Sequence, residues 1–410
     1  MSTSYLIGPF LDILTMRHLP LKGALNDGQL ELIPNGGILV TDGFIVELGN
    51  FKEMRKAHRD IPVQEMASGM VALPGLIDAH THLCFAGSRA MDFAERNAGT
   101  SYQEIAARGG GIWSSVRQTR VATSKELVEL TFGRMHQLVR QGVTTVEIKS
   151  GYGLDQTNEL KILQAIKEAA HQHPIEVVST CLAAHIIPKE FNGDESGYLQ
   201  YILREILPEV IDQKLAKRFD IFIEENAFTP GPSTKFLKAV KSEGFDLCVH
   251  GDQFTPGGSA VAIEVGALSV DHLEASTDYE IQALSKSQVI PMALPGASIG
   301  IGCAFTPARK LLDAGCSLAI ASDWNPGSAP QGDLVTQASI LATFEKLSSA
   351  EVWAGLTVRA AKALNLSDRG VLDIGKRADI AAFPTADYRE ILYHQGQMRP
   401  AMVWIGGDLI

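Results

Sequence analysis

Long hydrophobic runs are missing from this chain of 410 residues. None approaches the roughly 20 apolar residues that a membrane-spanning helix needs, so no membrane partner is expected. An excess of basic charge is missing as well: 36 Lys and Arg stand against 47 Asp and Glu, a formal net charge of -11. Nucleic acid and anionic lipid surfaces both call for a basic face that displaces counterions, so a small-molecule substrate fits this balance better. Cysteine is scarce. Cys84, Cys181, Cys248, Cys303 and Cys316 are odd in number, widely separated and mostly embedded in apolar segments, which is the usage of reduced core thiols and not of a disulfide framework. Residues 1–14 carry no basic start and no small-residue cleavage site, so a secretory leader is not expected and a cytoplasmic location is. Internal repeats, low-complexity tracts and disordered linkers are also lacking, which excludes a repeat architecture.

What the chain does have is apolar bulk, 45% of its residues, enough for one large core with a small satellite beside it. Apolar, β-branched runs recur at 71–83, 143–150, 175–185, 219–225, 245–253, 268–274, 289–294 and 316–324. Amphipathic stretches such as 157–170 and 198–216 lie between them, and 306–314 is followed by Gly315, a candidate helix stop. Strands alternating with helices predict a parallel sheet, and eight of them close into a (β/α)8 barrel without exposed edges. The flanks read differently. In ILVTDGFIVEL two alternating strands meet at Asp42 and Gly43, a hairpin signal, and the C-terminal GVLDIGKRADIAAF and MVWIGG again show short strands with glycine turns. Neither flank can bury a sheet alone, so 1–70 and 367–410 are expected to join as one small β-sandwich beside a barrel spanning 71–366. A helical stretch at 350–364 is expected to close the barrel.

The first barrel run ends in LPGLIDAHTHL. His80 and His82 are two apart, so the strand period turns both imidazoles to one face. The fifth run ends in LCVHGDQF with His250, the sixth in SVDHLEAS with His272, and the eighth in AIASDWNPG with Asp323. Taken singly, a strand-terminal histidine is often only hydrogen-bonded, and Asp323 can cap a turn. Together they place four imidazoles and a carboxylate at the mouth of one barrel, a ligand set that suits zinc or iron and leaves room for a water that loses a proton near neutral pH. Cys84 follows His82 by two residues but reads as a small buried thiol. The triple glycine Gly109 to Gly111 follows no Rossmann-type strand and is not a phosphate cradle; it reads as a loop over the mouth or as a plain turn.

These motifs, with GVLDIGKRADIA near the C-terminus, resemble the amidohydrolase superfamily across essentially the whole chain. Some members bridge two metals with a carboxylated lysine ending the fourth strand. Here that position reads FIEENAF, and Lys149 lies on the second strand, so the resemblance implies one divalent ion per chain, zinc or iron, held by His80, His82, His250 and Asp323, with His272 beside the bound water or substrate.

A narrower similarity lies between the ligands. HLCFAGSRAMDFAERNAGTSYQEIAARGGGI, EIKSGYGLD, TCLAAHIIP and SDWNPGSAP resemble the imidazolonepropionase family, whose members open the ring of 4-imidazolone-5-propanoate with water during histidine breakdown. The similarity implies a substrate shell of Arg89, Tyr102, Tyr152, His185, Gln253, Asn325, Gly327 and Ser328, and a homodimer. Arginine suits the substrate carboxylate because its planar fork makes paired, charge-assisted hydrogen bonds. Some members carry Glu where this chain has Gln253, and an amide can orient a ring or a water but cannot accept the proton. Proton transfer then falls to Asp323, with His272 stabilising the developing oxyanion, or to the two with roles exchanged. The rival readings are a deaminase of the same superfamily acting on a nucleobase-like ring, which needs no carboxylate clamp, and a non-catalytic barrel that has lost its ligands.

Overall fold

The computed structural model describes residues 4–66, 69–100, 104–105 and 108–410. Eight parallel strands form one sheet: β1 Leu76–Asp78, β2 Val143–Lys149, β3 Glu176–Ala184, β4 Arg218–Ile223, β5 Asp246–Gly251, β6 Ser269–His272, β7 Ile290–Ala293 and β8 Ala319–Ile320. They neighbour one another in chain order. The two ends meet just past the strands themselves: Thr81 bridges Trp324 in parallel, Asp323 N–H donates to His80 O at 3.0 Å and His82 N–H to Trp324 O at 2.9 Å. Buried Asp78 adds a clasp, accepting from Ser322 N–H at 2.9 Å and Ser322 Oγ at 2.5 Å. The (β/α)8 barrel is thus closed at its C-terminal end, where candidate ligands lie.

The apolar run at 71–83 is not one strand. Val71–Pro74 pairs in parallel with Ser4–Leu14 and antiparallel with Ile380–Phe383 in the other sheet, and the barrel begins only at Leu76. The break falls at Gly75, whose N–H donates to Asp379 O and where a Cβ would lie 2.2 Å from Thr144 Oγ1. Pro74-Gly75 is the local mark of this division, but apolar residues lie on both sides of it and the choice of pairing partner assigns them to different sheets.

The second sheet draws on both chain ends, as the flanking patterns imply: Leu32–Thr41, Phe44–Asn50, Val63–Glu65, Met402–Ile405 and Asp408–Leu409 complete it. Ile7, Phe10, Ile38, Val40, Ile380 and Trp404 form its core. Asp42 and Gly43 take φ of 49° and 85°, the doubly left-handed turn that matches strand twist in a two-residue hairpin.

Helices on the barrel's outside follow their sequence signals. Gln156–Gln172 starts at Asp155, which caps Asn158 N–H; Ala308–Asp313 stops before Gly315 at φ 92°. The stretch at 198–216 is interrupted by a π-helical turn, Ile202–Ile206. The stretch at 350–364 is broken at Thr357 into Ser349–Leu356 and Val358–Ala363. No helix of the described residues is long and apolar enough to cross a membrane.

Candidate metal centre

β1, β5, β6 and β8 run toward one mouth, and the chain just past or at their ends carries His80, His82, His250, His272 and Asp323, all buried. Asp323 Oδ1 lies 3.5 Å from His80 Nε2 and 3.4 Å from His82 Nε2. His82 Nε2 and His250 Nε2 are 3.3 Å apart. His80 Nε2 is buried with no hydrogen-bond partner. Ligand atoms about 2.1 Å from a tetrahedral ion sit roughly 3.4 Å from one another, so the spacing and the orphaned nitrogen fit a divalent cation. His272 joins the cluster through His80 and His250.

Burial keeps the imidazoles neutral, the form that donates a lone pair. It holds His80 and His82 well below the usual histidine range, helped by Lys149 and the neighbouring rings, and brings His250 down to about 4 against the pull of Asp220. His272 differs. Burial opposes its charge, but Glu274, 3.5 Å from Nδ1, and Asp323 outweigh that and shift it upward. Burial lifts Asp323 to about 7 in the absence of a cation. His272 and Asp323 also share left-handed backbone, φ 86° and 52°, a conformation costly for non-glycine residues and common where a strand end must aim a side chain into a site.

Beneath the imidazoles lies a layer that inspection of strand ends misses. His80 Nδ1–H donates to Asp271 Oδ2 at 2.7 Å, and His250 Nδ1 lies 2.8 Å from Asp220 Oδ2. The signal was available: a charged residue inside a run that is apolar on both faces must be paired, and Glu147, Lys149, Asp220 and Asp271 all interrupt such runs.

A cavity of about 630 Å³ opens above the cluster, lined by His82, His250, His272 and Asp323 together with Arg89, Tyr152, His185, Gln253, Asn325, Gly327 and Ser328. Tyr102 lies outside the described residues, as does most of the segment before Gly109. Arg89 precedes the helix Ala90–Asn97, and its Nε donates to Asp92 Oδ2 at 2.8 Å. The same carboxylate oxygen accepts from Gly111 N–H at 2.8 Å, and Gly111, at φ 68°, begins the helix Ile112–Val121. The triple glycine therefore ends in a helix start braced by the residue that braces Arg89. His185 Nδ1–H donates to Gly151 O at 3.0 Å, which leaves Nε2 as an acceptor, and burial lowers its pKa to about 4. Its ring stacks on His82, centroids 5.4 Å apart. Burial, then Asp323, pushes the Tyr152 hydroxyl upward, so it stays a donor.

Asn325, in the cavity wall, lies in the loop after β8. Its Oδ1 accepts from Gly327 and Ser328 N–H, and its Nδ2 donates to Asp323 O and Ser328 Oγ, so its amide is committed to shaping the loop. Glu224 does the same on the opposite side, accepting from Phe254 and Thr255 N–H and so holding the turn that follows Gln253. Sequence inspection also passed over Arg96, a second guanidinium in the cavity wall, and Phe222, an apolar side wall. Four cysteines are buried and free; Cys303 is exposed at the cavity.

The amidohydrolase family model matches residues 108–410. The chain is 41% identical over 408 residues to an imidazolonepropionase of Bdellovibrio bacteriovorus, covering 96% of this chain and 94% of that protein, and 38% identical to one of Symbiobacterium thermophilum, covering 97% and 95%. Among solved structures, a triazine hydrolase from Arthrobacter aurescens superposes with a TM-score of 0.75 at 17% identity, covering 99% of this chain and 94% of that one. The guanine deaminase of E. coli superposes with 0.72 at 14%, covering 100% and 99%. At those identities the two structures speak for the fold alone.

Proposed function

We infer the reaction from one premise: the chain belongs to the imidazolonepropionase family of the amidohydrolases. It is a hydrolase that opens the ring of 4-imidazolone-5-propanoate to N-formimidoyl-L-glutamate, a step of histidine degradation. The observation that carries this reading is that Arg89 lines the same cavity as the ligand cluster. A carboxylated substrate needs such a clamp and a neutral nucleobase does not.

His80, His82, His250 and Asp323 would hold one divalent ion, zinc or iron. When bound, such an ion supplies Lewis acidity and makes a water nucleophilic near neutral pH. A single ion is supported by Lys149, whose ammonium lies 2.9 Å from Asp220 Oδ2 and 3.9 Å from Asp271 Oδ2, so a positive charge already serves the other acidic cluster, Asp220, His250 and Asp271.

The side chains divide the remaining work. Arg89 grips the propanoate. Tyr152 donates to the substrate, His185 accepts a ring N–H at Nε2, and Gln253 orients ring or water without taking a proton. Gly327 and Ser328 line the carboxylate side, and Asn325 holds their loop. Water adds to the ring carbonyl carbon. Asp323 accepts the proton that the water loses, and His272, favoured in its protonated form by Glu274, donates to the developing oxyanion. The bond from that carbon to the ring nitrogen breaks, Asp323 returns the proton to the nitrogen, and the carboxyl group formed gives the water's second proton to the product's amidine and ends as a carboxylate. One water is consumed. The family reading also includes a homodimer, and the reduced-thiol usage of cysteine fits a cytoplasmic location.

Incubation of the purified protein with imidazolonepropanoate tests the proposal: ring absorbance should fall as formiminoglutamate appears. Ammonia release from guanine, adenosine or cytosine with imidazolonepropanoate left intact would favour the deaminase reading instead.

A further inference from the structure

Lys149 lies beneath the ligand cluster, and no step proposed above uses it. Its side chain is 1% exposed. Nζ is 2.8 Å from Glu147 Oε1, 2.9 Å from Asp220 Oδ2 and 3.9 Å from Asp271 Oδ2. Burying an ammonium is costly unless it is paired, and burying three carboxylates side by side is costlier still without a cation between them. The four groups therefore require one another.

Each of those carboxylates holds a ligand-bearing segment. Asp271 accepts from His80 Nδ1. Asp220 faces His250 Nδ1 with Oδ2 and accepts His250 N–H with Oδ1 at 3.2 Å. Glu147 accepts Thr81 N–H with Oε2 at 3.2 Å, and its own carbonyl accepts from Thr81 Oγ1 at 2.6 Å; Thr81 separates His80 from His82. Three strands, β2, β4 and β6, thus send their carboxylates to a single point, and from that point they reach the segments carrying three imidazoles. A carboxylate on Nδ1–H fixes both the tautomer and the orientation of a ligating imidazole. It does so only if the carboxylate is itself fixed.

We propose that Lys149 is the positioning residue of this centre: its ammonium holds Glu147, Asp220 and Asp271 so that His80 and His250 carry their protons on Nδ1 and turn Nε2 toward a common ion. The inference rests on the ligand set assigned above and concerns metal affinity, not the identity of the substrate.

The test uses the full chain and zinc alone as the probe, titrated against a chromophoric chelator. Lys149→Met should weaken zinc binding about 10- to 100-fold, the usual cost of losing an outer partner of a metal ligand, and should alter the visible spectrum of the cobalt-substituted protein. Ile7→Ala, in the core of the other sheet, is the control: it lowers thermal stability but should keep wild-type zinc affinity and cobalt spectrum. Wild-type zinc affinity in Lys149→Met would overturn the proposal. So would equal weakening in the control, since general destabilisation would then explain both. Should Lys149→Met fail to fold, the wild-type protein still decides. Histidine-selective 15N spectra of the metal-free chain, assigned with His80→Gln and His250→Gln, must show Nδ1–H for both rings, and an Nε2–H form at either refutes the arrangement. Failure of the metal-loaded wild-type protein to turn over imidazolonepropanoate, with zinc binding still weakened in Lys149→Met, would sink the substrate reading and leave this inference standing.

Discussion

Gly327 and Arg89 are packed so closely that a Cβ on Gly327 would lie 2.3 Å from Arg89 Nη1. Gly327 has no left-handed φ to explain it, so the space is the reason a side chain is missing there. Gly327→Ala should displace the guanidinium and raise KM for imidazolonepropanoate several-fold with zinc content unchanged. Arg89→Ala should raise KM roughly ten- to over a hundred-fold, since a charge-assisted hydrogen bond contributes about 1.5 to 3 kcal/mol. Steady-state kinetics on both variants check this, and an unchanged KM in Arg89→Ala would move the carboxylate elsewhere.

His82→Ala removes one of the converging nitrogens. Metal analysis of the purified variant should find it largely metal-free, with turnover lost. Full metal content at normal rate would show that the ion sits elsewhere.

His272→Ala and Asp323→Asn separate orientation from proton transfer. The first should retain its metal and lose roughly two to four orders of magnitude in kcat, the range for a positioned proton-transfer or oxyanion group. The second should stay nearly inactive even with metal in excess. Near-normal kcat in metal-loaded His272→Ala would leave the oxyanion to other groups.

Chelation should lower the melting temperature, because the buried Nε2 atoms and Asp323 are left facing one another without a cation. Restoring zinc to 1,000 times its dissociation constant should return about 4 kcal/mol. Differential scanning calorimetry of the metal-free and reloaded protein measures it; identical melting would argue against a buried site.

His173, remote from the cavity, predicts a pH effect on stability. Its Nδ1 accepts Ile175 N–H at 3.1 Å, and burial, then His136, lowers its pKa from 6.5 to about 4. The unfolded chain takes up the proton first, so the contribution is present above about pH 6.5 and is lost as pH falls toward 4. His173→Asn, whose side-chain oxygen can replace the acceptor, should lose less melting temperature than the wild type between pH 7 and pH 5. An equal loss would place the acid sensitivity in other groups.

The sequence by itself determined the alternation of eight strands with helices, the joining of both chain ends in one sheet, and the strand-end positions of His80, His82, His250, His272 and Asp323, because strand period and apolar runs are local properties that survive without coordinates. The Asp42-Gly43 turn and the Gly315 stop were legible for the same reason. Tertiary structure alone decided what those residues meet. It divided the run at 71–83 between two sheets, since pairing partner and not apolar character sets where a strand belongs. It committed the Asn325 amide to its own loop and brought Asp92 against Arg89 and Gly111. It also gathered Glu147, Lys149, Asp220 and Asp271 from three strands under the imidazoles. Glu147 and Lys149 come from one run and Asp220 and Asp271 from two others, and only barrel closure, which places strands distant in sequence around one axis, makes them a single unit.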